Sequence, residues 1–305
     1  MQFWVIQTLN SLALGGLLFL LSSGFSLIFG LLRIANLTHG AFFMLGAYIG
    51  ISFMQNIIPN LFLAALASAG VIALAGGLFE RFVLRAIAGQ SQSQVLVTLG
   101  TSFILADLCL ILWGGDPIPI PTPDFLRAPL QVFGFTFPAY RLAVVVTAVV
   151  VAGLLYVLIE RTRLGAMIRA GVDDMQMARA VGIPVSRLFT TVFCLGAALA
   201  GAGGVVGGPI LSAYPGLDTE MLPLALIVVI LGGVGSLLGA FLGSFIIGFI
   251  YTFGTALLPD LAYVILFLPM IDVIASRPTG LFGRDRKSTR LNSSHTDISR
   301  MPSSA

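Results

Sequence analysis

The sequence predicts an all-α, polytopic helical membrane protein with eight or nine transmembrane helices. Three observations carry this. Of 305 residues, 57% are hydrophobic and only 10% charged, whereas a water-facing surface normally draws on about 25% charged residues. The mean hydropathy is +1.02. The apolar residues fall in runs of about 20, the length that crosses roughly 30 Å of hydrocarbon, and lack the alternation of a membrane barrel. Hydrocarbon offers no water to spare backbone groups, so helices are the remaining way to cross it.

Taken in order, the predicted spans are residues 7–30, 40–58, 61–79, 93–113, 142–159, 188–211, 222–238, 240–258 and 261–276. The sequence begins MQFWVIQTLN, without the basic stretch of a secretory signal, so the first run is expected to remain as a span. Spans seven and eight meet around Gly232 to Gly239 and also fit one long bent helix, which leaves eight or nine. The stretch 114–141 holds six prolines, cannot be a regular helix, and is expected to be an extracytoplasmic loop over the helix ends. The stretch 160–187 holds five arginines and is too long for a simple turn. Residues 1–284 form a single transmembrane domain. Residues 285–305 are serine-rich without apolar periodicity, which predicts a disordered tail of foreign character, and His295 within it carries no functional weight.

Lys and Arg are retained on the cytoplasmic side of membrane proteins. With nine spans and the N-terminus outside, of the basic residues up to residue 287, Arg33, Arg81, Arg85, Arg161, Arg163, Arg169, Arg179, Arg187, Arg277, Arg284, Arg286 and Lys287 fall inside, and Arg127 and Arg141 outside, twelve against two. Asp116, Asp124, Asp218, Glu220 and Asp260 fall in outer connections. The formal charge of +3 thus reflects topology; the scattered basic residues make no nucleic-acid-binding face. Two cysteines, Cys109 and Cys194, and two histidines leave neither a disulfide framework nor a metal site. No HExxH and no GxxxxGK[ST] phosphate loop occurs, so any ATP chemistry belongs to another chain.

The inner stretch 160–187 is the most informative. Gly171 is expected to break any helix, Asp173 or Asp174 to cap the next one, Gly182 to end it in a left-handed turn, and Pro184 to prevent continuation. The result is a short helix at about 174–181 carrying the small residues Ala178 and Ala180 beside Arg179. Alone in water it is marginal, so it needs a surface, either its own domain or a partner. The segment Asn36, Thr38 and His39 interrupts two apolar runs. It reads either as part of a translocation path, since transporters use broken helices to hold polar ligands, or as a cytoplasmic-side turn that caps the second span. Gly235, Gly239 and Gly243 recur every four residues, a ridge for close helix packing. Asp107 and Asp272 fall in apolar spans. An acid there costs about 2.5–3.5 kcal/mol and should face protein or water, as a coupling group or as a paired structural acid.

Ala178 followed by Gly182 in a loop before a late span resembles the coupling loop of ATP-binding-cassette importer permeases. Arg161-Thr-Arg-Leu-Gly165 and Ala180-Val-Gly-Ile183 resemble the branched-chain amino-acid permease family in particular. So do Gly30-Leu-Leu-Arg-Ile-Ala-Asn-Leu-Thr-His-Gly40 with Met44-Leu-Gly-Ala-Tyr48, Gly232-Gly-Val-Gly-Ser-Leu-Leu-Gly-Ala240, and Arg277-Pro-Thr-Gly-Leu-Phe-Gly283. The resemblance implies a multi-pass permease of the bacterial plasma (inner) membrane that hydrolyses nothing and binds no cofactor itself. It further implies a second homologous permease subunit, two cytoplasmic ATPase subunits holding ATP and Mg, and an extracytoplasmic solute-binding protein. Asp173, Asp174, Ala178, Arg179 and Gly182 would couple to the ATPase; Asn36, Thr38, His39 and Asp107 are the candidates for the path. The implied cargo is a branched-chain or other hydrophobic amino acid, with urea or short amides as the alternative. The competing class is a self-sufficient secondary carrier that uses Asp107.

Overall fold

The computed structural model describes residues 2–33, 36–132, 135–277 and 280–282. The tail 285–305 and His295 lie outside the described residues. The helices are α1 (Gln2–Leu32), α2 (Thr38–Asn56), α3 (Leu61–Phe79), α4 (Ser91–Trp113), α5 (Ala139–Arg161), α6 (Arg163–Asp173), α7 (Met175–Ala180), α8 (Val185–Leu211), α9 (Leu217–Gly232), α10 (Leu237–Leu257) and α11 (Ala262–Ser276). The chain is all-α apart from a small hairpin in the proline-rich stretch, β1 (Pro129–Val132) antiparallel to β2 (Phe135–Pro138).

Six helical segments among the described residues are long and apolar enough to cross a membrane: Gln2–Leu32, Leu61–Ile87, Ser91–Trp113, Ala139–Arg161, Val185–Leu211 and Leu237–Leu257. The shorter apolar helix Val264–Ser276 brings the number to seven, not the eight or nine expected. The two runs that drop out are α2 and α9. Helix α9 opens with Asp218 and Glu220, contains Pro223, and is mostly buried against other helices. The 19 residues of α2 include Thr38, His39, Gln55 and Asn56, and most are buried against other helices. Apolar character in α2 and α9 therefore serves packing inside the protein rather than contact with lipid. The bent-helix alternative for runs seven and eight is also excluded. Separate helices α9 and α10 pack face to face, with Gly232 against Gly239 and Gly243 against the Val228 carbonyl.

The long helix α1 runs through the middle, buried from Gly15 to Phe25, with α5, α8 and α10 around it. Backbones come close where side chains are absent. A Cβ on Gly46 of α2 would sit 2.5 Å from the Gly201 Cα of α8. At the same point Ser68 of α3 places its Oγ 2.9 Å from the Gly46 carbonyl and 3.3 Å from the Gly201 carbonyl. One hydroxyl thus holds three helices where no side chain fits between them. By contrast α4 and α5 are mostly exposed and apolar, with Leu96, Phe103 and Ile111 on α4 and Val146, Val149 and Leu154 on α5 turned outward.

Most basic residues gather at one end. Arg33 reaches the Val172 carbonyl at 3.5 Å, Arg85 the Ser186 carbonyl at 2.9 Å, and Arg169 pairs with Glu160 at 3.3 Å. At the other end Ile118 and Ala213 exchange backbone hydrogen bonds of 2.8 and 2.9 Å, which ties the proline-rich stretch to the end of α8.

Replacing Gly201 with Leu is expected to lower stability by about 1–3 kcal/mol, the cost of forcing a side chain into a filled contact. Gly70→Leu, with nothing within 4 Å, is expected to be neutral. Thermal unfolding in detergent, read by the fluorescence of Trp113 stacked on Tyr48, checks both.

Candidate functional site

The site begins where α1 stops. Arg33 takes φ +56°, a left-handed conformation uncommon for a residue with a side chain, and the chain turns back into the protein before α2 begins. His39 is fully buried and its Nε2 donates to the Leu21 carbonyl at 2.9 Å. Leu21 lies eleven residues before Leu32, roughly 16 Å along the helix. Asn36, Thr38 and His39 are therefore internal, each no more than 2% exposed. The Asn36 Oδ1 accepts from the backbone N–H of Thr38 at 3.2 Å and lies 2.8 Å from its Oγ1.

Opposite this turn stands α4, whose burial pattern inverts that of a soluble helix. Its buried positions are Gln94, Thr98, Ser102 and Cys109, and the first three are polar at four-residue spacing, one face of a helix. Gln94 Nε2 donates to the Leu84 carbonyl at 3.3 Å. The Thr98 carbonyl lies 3.4 Å from Thr38 Oγ1. Ser102 Oγ donates to Asp218 Oδ2 at 3.2 Å. Asp218, expected in an outer connection, sits in the first turn of α9 at 3% exposure, where the free N–H groups of a helix start favour a negative charge.

Between these elements lies a cavity of about 180 Å³ lined by Asn36, Glu80, Arg85, Gln94, Thr98 and Arg179, with Ile28, Leu32, Phe189 and Phe193 as apolar walls. Two buried polar atoms of its lining, Asn36 Nδ2 and Gln94 Oε1, have no partner among the described residues; His39 Nδ1 and Asp218 Oδ1 are likewise without one but belong to residues outside the lining. Such atoms are costly inside a protein, and their convergence marks a site where a polar ligand or water would be accepted.

Glu80 opens a π-helical turn, Glu80–Leu84, at the end of α3. Its buried carboxylate pairs with Arg85 at 3.1 Å and accepts from Thr190 Oγ1 at 2.7 Å. Sequence reasoning missed Glu80, Gln94, Thr98, Ser102 and Asp218. For α4 the signal was present, as polar residues every fourth position within an apolar run; for Glu80 and Asp218 the sequence carries no comparable mark.

The short inner helix forms close to its expected bounds. Asp174 caps α7, accepting from the N–H groups of Gln176 at 2.9 Å and Met177 at 3.0 Å. Gly182 takes φ +88° and ends it. Asp173 instead closes α6. Gly171 does not break that helix: it lies inside α6, where a Cβ would meet the tip of the Leu31 side chain of α1 at 2.8 Å, so the glycine eases packing against α1 and its backbone conformation demands nothing special. Ala178 is 2% exposed and faces its own domain, while Met177 and Val181 are 61% and 69% exposed. Arg179 reaches the wall of the polar cavity. Asp107 is exposed on the outward face of α4, away from Ser102, and is not brought to the cluster; Asp272 on α11 is likewise exposed.

Arg85→Met would leave the Glu80 carboxylate buried with only Thr190. A fully buried broken pair costs about 3–5 kcal/mol; discounted for the half-exposed arginine, a loss of about 1–2 kcal/mol is expected. The Arg85→Met/Glu80→Gln double variant should regain part of it, and melting curves of the two compared with the parent decide.

The model of the family described as branched-chain amino acid transport system / permease component matches residues 7–274. Among curated relatives, the chain is similar to the high-affinity branched-chain amino acid transport system permease protein BraD of Pseudomonas aeruginosa, 28% identical over 91% of this chain and 95% of that protein. It is similar as well to the permease protein LivH of the corresponding high-affinity system in Escherichia coli K12, 26% identical over 92% and 96%. A probable branched-chain amino acid transport permease protein LivH of Methanocaldococcus jannaschii is 26% identical over 89% and 90%. No solved structure matches the chain. With its helices, its polar interior and a match that runs from the first span to the last, this chain belongs to the branched-chain amino acid transport system permease family and is a multi-pass, non-catalytic transport subunit.

Proposed function

We propose that the chain is the membrane subunit of an ATP-binding-cassette importer of branched-chain amino acids in a bacterial inner membrane. It forms half of a path completed by a second homologous permease, with two ATPase subunits against its arginine-rich end and a solute-binding protein at the other. The observation that carries this reading is the position of α7. It is a capped, six-residue helix on the arginine-rich end, exposed on one face and joined through Arg179 to the wall of the polar cavity. A displacement of α7 by an ATPase therefore acts directly on the groups that line the cavity.

The cavity suits a zwitterion with an apolar side chain. Asn36 Nδ2, Arg85 and Arg179 supply donors for a carboxylate, Gln94 Oε1 and Glu80 supply acceptors for an ammonium group, and Ile28, Leu32, Phe189 and Phe193 supply apolar wall. Urea and short amides would leave that wall unused. Asp107, outside the cavity, has no place in the coupling.

The surface offered to an ATPase is Met177, Ala180 and Val181, with Ala178 behind it holding the helix to its own domain. Met177→Asp/Val181→Asp is expected to abolish co-purification of the ATPase. Gly182→Val, strained by a positive φ, should weaken it, and Arg179→Ala should leave assembly intact, since an exposed ion pair contributes only about 0–1 kcal/mol. Assembly unchanged in both Met177→Asp/Val181→Asp and Gly182→Val would remove α7 from the interface.

For transport, ATP-driven leucine uptake into proteoliposomes of the complete importer separates the roles. Gln94→Leu is expected to lower uptake about tenfold at normal assembly, the worth of one charge-assisted hydrogen bond. Asp107→Asn should transport as the parent does. Uptake of urea or acetamide in preference to leucine would overturn the cargo assignment.

A further inference from the structure

We infer that a second cavity, at the end opposite α7, is a binding site for the phosphate of a membrane lipid. This cavity of about 210 Å³ is lined by Asn10, Leu14, Arg141, Tyr251, Thr252 and Thr255, among others. It lies between the first part of α1, the start of α5 and the end of α10. Arg141 is half-buried within it. The guanidinium carries five N–H donors, and the structure gives it one acceptor, the Oδ1 of Asn10. Asn10 is itself oriented, because its Nδ2 donates to Gln7 Oε1 at 3.1 Å. No carboxylate among the described residues pairs with Arg141; Arg33, Arg81, Arg161, Arg163, Arg179, Arg187 and Arg277 also lack one but are exposed, whereas Arg141 is half-buried. The Thr255 hydroxyl donates to the Tyr251 and Thr252 carbonyls at 2.9 and 3.1 Å, so a half-buried cation without a carboxylate partner, facing a cavity that also holds the Thr252 hydroxyl, is the receptor for an oxyanion.

Three features select a lipid headgroup. The depth is that of the membrane interface: exposed Trp4 stacks on Phe253 at 5.8 Å, and Phe253 on Phe249 at 6.1 Å, beside the cavity. Tryptophan is enriched at headgroup level because its ring is apolar and its N–H polar. Helices α5 and α10 lead away from the cavity in opposite chain directions, and the next turns of each carry exposed apolar residues, Val146 and Val149 on α5 and Leu242 and Ile246 on α10. These offer a surface for acyl chains immediately beyond the polar end. Finally, Arg141 is one of two basic residues assigned to the side where cations are scarce, so its presence there calls for a local anion. The last point rests on the orientation proposed above; the first two do not.

The test is native mass spectrometry of the intact importer released from nanodiscs containing phosphatidylglycerol, with thermal stability as a second readout. Arg141→Gln and Thr252→Val/Thr255→Val are expected to lower phosphatidylglycerol retention about tenfold, the loss of one charge-assisted hydrogen bond. Arg141→Lys should retain part of it. Arg127→Gln, an exposed cation on the same side paired with Asp124 at 2.7 Å, should leave it unchanged. Should Arg141→Gln not assemble, the threonine pair and Arg141→Lys carry the test. Retention unaffected by Arg141→Gln, or reduced equally by Arg127→Gln, would overturn the site. Displacement of the lipid by inorganic phosphate at matched concentration would assign the cavity to a free anion and overturn the lipid assignment. Loss of leucine uptake without loss of lipid retention would implicate the transport reading instead, so the two proposals fail separately.

Discussion

The contact of α2 with α8 at Gly46 and Gly201, closed by the Ser68 hydroxyl of α3, is the constraint on which the interior depends. Hydrocarbon supplies no hydrophobic force between helices, so they associate through close packing and hydrogen bonds. Because no side chain intervenes, α2 is drawn into the middle of the bundle rather than left at its edge. That placement buries a helix beginning with Thr38 and His39, and it obliges the preceding turn to fold inward. Broken helix and polar interior follow from the same contact.

Once polar groups are inside, something must answer them, and α4 does so by turning its polar face inward and its apolar face out. Gln94, Thr98 and Ser102 meet Leu84, Thr38 and Asp218, but the pairing is incomplete. Incomplete satisfaction is destabilising for a passive helix bundle; under the proposed function it is what a passing polar solute would require. The π-turn at Glu80 lies between this interior and the surface helix α7, so the Glu80–Arg85 ion pair and Arg179 of α7 line the same cavity.

The two ends of the molecule use arginine differently. At the α7 end, Arg33, Arg85 and Arg169 bond backbone carbonyls or carboxylates and hold turns to helices. At the other end Arg141 is fixed by Asn10 and faces open space. The first arrangement stabilises the protein itself, and the second is arranged for a ligand.

Composition alone determined the class: so few charges cannot cover a globule, and apolar runs this numerous belong to a helical membrane protein. The motif order determined the family, and the local chemistry of Asp174 and Gly182 determined α7, because caps and left-handed turns depend on neighbours a few residues away. Only the tertiary structure decided how many runs meet lipid. Hydropathy does not distinguish burial in protein from burial in lipid, which is why α2 and α9 resembled spans. It also decided which polar residues act together: Asp218 and Ser102 are 116 positions apart, and Thr190 and Glu80 are 110 apart. Neither pairing leaves a trace in local sequence. Asp107, the acid that stood out most in the sequence, lies outside the cluster, because helix α4 can bury only one of its faces and buries the one that carries Ser102.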